Sequence, residues 1–159
     1  MPWAIVLKNH KLVKSNLEFS YIILLGQIRT TLEEESTMAK IVIIGAGIGG
    51  IPMAYELKEM FGDQHEIILI SKGDKFNFVP SNPWVMVNWR ERKDVEFTVT
   101  DYIEKAGVEF ICTGVKKLYP DDNKLVLLDD SEISYNYLVI ATGPKLAFDE
   151  VEGMGPDLY

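Results

Sequence analysis

The sequence predicts an α/β domain in which buried parallel strands are joined by helical crossovers and interrupted by a three-stranded antiparallel meander. Three observations predict it. Residues 40–57 read KIVIIGAGIGGIPMAYEL: an apolar strand, a glycine-rich turn and a helix in direct succession. Two further runs, Glu66–Ile70 (EIILI) and Tyr137–Ala141 (YLVIA), lack polar alternation, the pattern of strands covered on both faces. Between them, short strand patterns are separated by turn signals such as Pro120-Asp121-Asp122-Asn123 and Asp129-Asp130-Ser131.

The elements follow in order from Met38. A first strand, Lys40–Ile44, feeds the glycine turn and a helix from about Gly49 to Phe61. There Met53, Ala54, Leu57 and Phe61 recur at helical spacing. Pro52 falls in the first turn, where its missing N–H costs little, and Gly62 stops the helix. Glu66–Ile70 is the second strand. Residues 76–89 form a long loop rich in Pro, Asn and aromatics, in which Trp84 and Trp89 are expected as buried anchors. Thr98 or Thr100 caps a short helix that runs through Ala106 and ends at Gly107. Val108–Cys112 is a third strand, and Gly114–Tyr119, Lys124–Leu128 and Ile133–Tyr135 form the meander. Tyr137–Ala141 closes the series at Thr142-Gly143-Pro144.

Composition bounds the function. The chain has 159 residues, enough for one domain, and a net charge of -8 that argues against a nucleic-acid partner. The single cysteine, Cys112, excludes an internal disulfide, suits a reducing compartment and is expected as a small buried hydrophobe. No apolar run approaches the roughly 20 residues of a membrane-spanning helix, and no signal peptide is evident, so the cytoplasm is the expected location. His10 and His65 have no triad arrangement around them, His65 is expected to be solvated, and no metal-ligand spacing is present.

Residues 1–37 do not follow the pattern of the rest, and their charges cancel. Met38-Ala39-Lys40 opens directly into the first strand. Met38 is the expected start, with residues 1–37 as translated upstream DNA and Glu33–Glu35 as the trace of a purine-rich ribosome-binding site. A genuine disordered or helical extension is the alternative.

The glycine turn carries the chemistry. In a strand–Gly-x-Gly-x-x-Gly–helix unit, Gly45 allows the tight turn, Gly47 lets backbone approach a pyrophosphate, and Gly50 lets the helix pack close to the strand. Ala46, Ile48 and Gly49 complete a loop whose amides face the phosphates at a helix N-terminus. A Rossmann-like, dinucleotide-binding domain is the result. The acid that grips an adenosine ribose normally ends the second strand, but here Ser71 and Lys72 stand there. A neutral serine weakens the case for NAD, and Lys72 facing a 2′-phosphate is a minor alternative.

The order of third strand, antiparallel meander and then a strand ending in Ala141-Thr142-Gly143 resembles the FAD domain of the glutathione-reductase-like, two-dinucleotide-domain flavoproteins. Phe76-Asn77-Phe78-Val79-Pro80-Ser81-Asn82-Pro83-Trp84-Val85, Trp89-Arg90-Glu91-Arg92 and Ala141-Thr142-Gly143-Pro144-Lys145-Leu146-Ala147-Phe148 are similar to the sulfide:quinone oxidoreductase family, from Lys40 to about Gly155. The resemblance implies FAD as cofactor, with the pyrophosphate and flavin against Gly45–Gly50, Pro80, Ser81, Asn82, Ala141, Thr142 and Gly143. It implies Ser71 and Lys72 at the ribose end and the Val115 backbone near the adenine.

It also implies an enzyme that passes electrons from sulfide through FAD to a membrane quinone, attached peripherally at the inner face of the cell membrane. Redox cysteines serve that family, and no catalytic role is carried onto Cys112. With no second glycine fingerprint and no further cysteines, the chain is expected to be an N-terminal fragment, residues 38–159 being an incomplete FAD-binding domain that is not competent alone. A type II NADH:quinone oxidoreductase and a non-catalytic nucleotide-binding module remain the alternatives.

Overall fold

The computed structural model describes residues 38–144, the backbone of two strands within 5–13, and positions 147, 150, 152 and 153. Four parallel strands form the centre of a six-stranded sheet: β3 (Lys40–Ile44), β4 (Glu66–Ile70), β7 (Glu109–Ile111) and β11 (Tyr137–Ile140). Their spatial order is β11-β3-β4-β7. At the β11 edge, β1 (Ile5–Lys8) pairs antiparallel, with β2 (Lys11–Val13) beyond it. The remainder of residues 1–37 lies outside the described residues, as do Lys145, Leu146 and Phe148.

Side chains alternate across a strand, so one apolar run can feed two cores. On one face Ile41, Ile43, Ile67, Leu69 and Val139 pack against α1 (Gly50–Phe61) through Met53, Ala54, Leu57 and Phe61. Ile103 of α3 (Thr100–Lys105) joins the same layer. On the other face Val42, Ile68, Ile70 and Leu138 meet Leu125 and Leu127 of the antiparallel meander. That meander comprises β8 (Val115–Tyr119), β9 (Lys124–Leu127) and β10 (Glu132–Ser134), ordered β10-β9-β8. Burial on both sides explains why the parallel strands carry no polar alternation. The α/β architecture with a meander insertion is therefore the one that the sequence predicts.

Several local expectations are corrected. The loop after β4 contains regular structure: β5 (Lys75–Asn77) pairs antiparallel with β6 (Glu96–Thr98), and α2 (Asn82–Met86) lies between them. Neither threonine caps α3, whose N-cap is Val99 without a side-chain hydrogen bond. Trp84 and Trp89 are not buried anchors, being 41% and 77% exposed. Cys112 is exposed, because it follows the last residue of β7 and lies past the sheet. His65 is buried rather than solvated: its ring packs against Phe61 at 5.1 Å, and its Nδ1 accepts the Ala39 N–H at 3.2 Å.

Tyr135 lies in the meander-side core with no hydrogen-bond partner for its hydroxyl among the described residues. Burial holds its phenol above the ordinary value of 10.0. The folded state thus favours the protonated phenol. Its contribution is intact below pH 10.0 and is lost as pH rises through the higher folded value, because the unfolded chain releases its proton first. Tyr135→Phe is expected to leave stability at neutral pH unchanged or higher by about 1 kcal/mol. Urea midpoints at about pH 8 and about pH 10.5 should fall less in Tyr135→Phe than in the parent chain.

Candidate functional site

β3 ends where its neighbours force the chain to turn. Gly45 has φ of +106°, a conformation that glycine adopts freely, and its N–H donates to the Ile70 carbonyl at 2.7 Å. On the other side Ala141 donates its N–H to the Ile44 carbonyl at 2.8 Å. The two bends touch: a Cβ on Gly45 would lie 2.4 Å from the Ala141 carbonyl oxygen. Gly50 is as constrained, since a Cβ there would lie 1.8 Å from the Gly45 carbonyl oxygen. Gly47 differs, with nothing within 4 Å of the place its Cβ would take. Two glycines are thus fixed by close packing, and the third faces open space.

That space is a cleft of about 280 Å³ lined by Gly45–Gly49, Ser71 and Ala141–Pro144. A second cleft, about 230 Å³, shares Ala46, Gly47 and Ile48 and is walled by Lys75–Pro80. Helix α1 begins at their junction with Gly49 as N-cap, no capping side chain and no acidic residue in its first turn. Among the described residues, no hydrogen-bond acceptor meets the amides of Ala46, Gly47, Ile48, Gly49, Thr142 or Gly143. Unspent amides and the positive end of a twelve-residue helix converge where no carboxylate lines the walls. The arrangement suits a diphosphate.

The structure brings together Gly45, Ala46, Gly47, Ile48, Gly49, Ser71, Ala141, Thr142 and Gly143 in the first cleft, and Pro80 in the second. Gly50 sits beneath the loop. Lys72, Ser81, Asn82 and Val115 line neither cleft. Ser81 is buried, its Oγ accepting from Arg90 Nη1 at 2.8 Å, while that guanidinium lies 5.2 Å from the Trp84 ring. Val115 packs on the meander-side core. Sequence reasoning missed Lys75, Phe76, Asn77, Phe78, Val79 and Pro144 as lining residues. The pairing of β5 with β6 that places Lys75, Phe76 and Asn77 leaves no periodic signal in runs of three residues. Cys112 lines neither cleft, and among the described residues no group of His, Cys, Asp or Glu could hold a metal ion.

The pyridine nucleotide-disulphide oxidoreductase family model matches residues 39–158. A sulfide-quinone reductase of Aquifex aeolicus is 40% identical over 112 residues, which are 70% of this chain and 26% of that protein. A mitochondrial sulfide:quinone oxidoreductase of Dictyostelium discoideum is 33% identical over 123 residues, 76% of this chain and 26% of the relative. The X-ray structure of the Aquifex aeolicus sulfide:quinone oxidoreductase matches with a TM-score of 0.66 at 38% identity, covering 69% of this chain and 25% of that one. NDH2 of Plasmodium falciparum, with a TM-score of 0.60 at 20% identity over 73% of this chain and 24% of its own, shares the fold. The chain spans about a quarter of the length of the curated relatives it matches.

The glycine geometry makes a paired prediction. Gly47→Val is expected to keep the fold, since its side chain enters empty space, whereas Gly50→Val drives side-chain atoms into the Gly45 carbonyl and unfolds the chain. Circular dichroism melts of both variants check this; equal melting points would refute the assigned packing.

Proposed function

The chain belongs to the pyridine nucleotide-disulphide oxidoreductase family, and from that premise we propose that it is the N-terminal FAD-binding part of a sulfide:quinone oxidoreductase-like flavoenzyme. The observation that carries the reading is the contact between the Gly45 and Ala141 bends, which puts two sets of unspent amides on one cleft. Residues 38–159 form this part. It spans about a quarter of the length of the sulfide:quinone oxidoreductase relatives.

The residues present fit FAD. The space in front of Gly47 would take the pyrophosphate without a Cβ in the way, and the amides of Ala46–Gly49, Thr142 and Gly143 would donate to its oxygens. Ser71, the residue after β4, lines the cleft and would meet the ribose hydroxyls as a neutral group. Lys75–Pro80 wall the space on the other side of the loop. Bound FAD supplies a two-electron acceptor and donor, which these residues hold and orient. The role proposed for these residues is to hold and orient the group, with no proton transfer or nucleophilic step placed on them.

Sulfide as donor and quinone as acceptor are read from the named relatives, which are sulfide-quinone reductases by name. Among the described residues no helix is long and apolar enough to cross a membrane. Titration of the purified chain with FAD should give saturable quenching of flavin fluorescence. Gly47→Val, folded as above, should abolish it. A chain that never takes up FAD would remove the flavin reading. In a longer protein carrying this domain, flavin bleaching by sulfide but not by NADH separates this reading from an NADH:quinone oxidoreductase.

A further inference from the structure

We propose that the outer edge of β11 is an acceptor site for an extended peptide strand, which the chain fills with its own residues Ile5–Lys8. The same sequence supplied as a separate peptide is able to take that place. Neither statement depends on the flavin reading. Both faces of β11 are covered, Tyr137 and Val139 feeding the helix-side core and Leu138 the meander-side core. β3 pairs with it along one side, from Tyr137 opposite Ile41 to Ile140 opposite Ile44. The row of N–H and C=O groups on the other side is what remains to be satisfied. Leaving such groups bare beside a buried strand is costly.

Strands that end a sheet are ordinarily blunted by charge, proline, a bulge or shortness. β7, at the opposite edge, fits this, having three residues and beginning with the exposed Glu109. β11 carries none of these devices. It reads YLVI, an interior sequence in the outer position of the parallel group. The segment Ile5–Lys8 meets that need residue for residue and antiparallel, from Ile5 opposite Ile140 to Lys8 opposite Tyr137. It reads IVLK, apolar in its first three positions and β-branched in two, which favours an extended strand. Beyond it β2 is only three residues, KLV, and contains Lys11, so the sheet then ends on a blunt strand. In strand addition the backbone pairing supplies affinity and alternate side chains supply selectivity, so the partner class is a short, extended, largely apolar peptide. Residues 5–13 are thereby part of the folded unit rather than the trace of upstream DNA.

Hydrogen exchange of the whole chain tests the occupant, and a paired-proline variant tests the site. In the parent chain the β1 amides that face β11 should exchange at least about tenfold more slowly than those of an unstructured segment. Val6→Pro with Leu7→Pro changes successive positions, so whichever amide faces β11 is lost. The β11 amides that face away from β3 should then exchange about tenfold faster, while those of β4 keep their protection. A synthetic peptide of residues 1–16 at about 1 mM, the order of a tethered segment's effective concentration, should restore that protection. The same peptide carrying both prolines should not. Free exchange of Ile5–Lys8 in the parent chain would overturn the assignment, even where the variant does not fold. So would a folded variant whose β11 amides stay as protected as in the parent, or protection that the peptide leaves unrestored. Sedimentation velocity of the parent chain identifies the rival occupant: a dimer with protected β11 and freely exchanging Ile5–Lys8 gives the edge to a second copy and refutes this proposal.

Discussion

The backbone of Gly45 lies so close to the Ala141 carbonyl that no side chain fits between them, and the rest of the site is built outward from that approach. It is possible because β3 and β11 are parallel neighbours in register, with Ile44 opposite Ile140, so both chains leave the sheet at the same height. Both turns then open toward the same side, where α1 starts. The second close approach, Gly50 on the Gly45 carbonyl, presses the helix onto the strand and aims its N-terminus at the space the turns enclose. A cleft lined by unspent amides follows from geometry that three small residues permit. Larger residues at Gly45 or Gly50 would separate the elements that define it.

The sheet beneath makes this approach rigid. Its parallel strands are covered by helices on one face and by the meander on the other, so each central strand is held from both sides. Leu138 and Val139 of β11 are fully buried and feed opposite layers, which leaves the strand no freedom to slide relative to β3. The meander is thus more than an insertion. It supplies Leu125 and Leu127 as the second core that a two-sided sheet requires.

Much of this was legible in the chain. β3 and β4 run over the residues that the apolar patterns indicate, Lys40–Ile44 and Glu66–Ile70, because strands buried on both faces must be apolar at every position. Helix α1 was legible because twelve residues give its period room to repeat and Gly62 ends it with φ of +55°. The β5–β6 ribbon was not, since its strands are three residues each and meet across a separation in sequence that leaves no local pattern. Cys112 and the two tryptophans show a second limit. Residue type indicates a preference for burial, but position past a strand end or on a five-residue helix decides whether anything covers it. His65 shows the converse, a polar turn residue drawn inside because Ala39 offers it an amide and Phe61 a ring. Within the candidate site, the glycine loop was legible from motif spacing and Ala141-Thr142-Gly143 from the resemblance to flavoprotein FAD domains; the structure lines one cleft with both. Asn77 was hidden because its place depends on the ribbon.

Two separate turns converging on one diphosphate is the central claim, and a crystal structure of the chain soaked with ADP tests it most directly. The account predicts diphosphate oxygens within hydrogen-bond distance of amides from Ala46–Gly49 and also of Thr142 or Gly143. A nucleotide bound by the glycine loop with its phosphates turned away from Thr142 and Gly143, or bound at another surface, would contradict it.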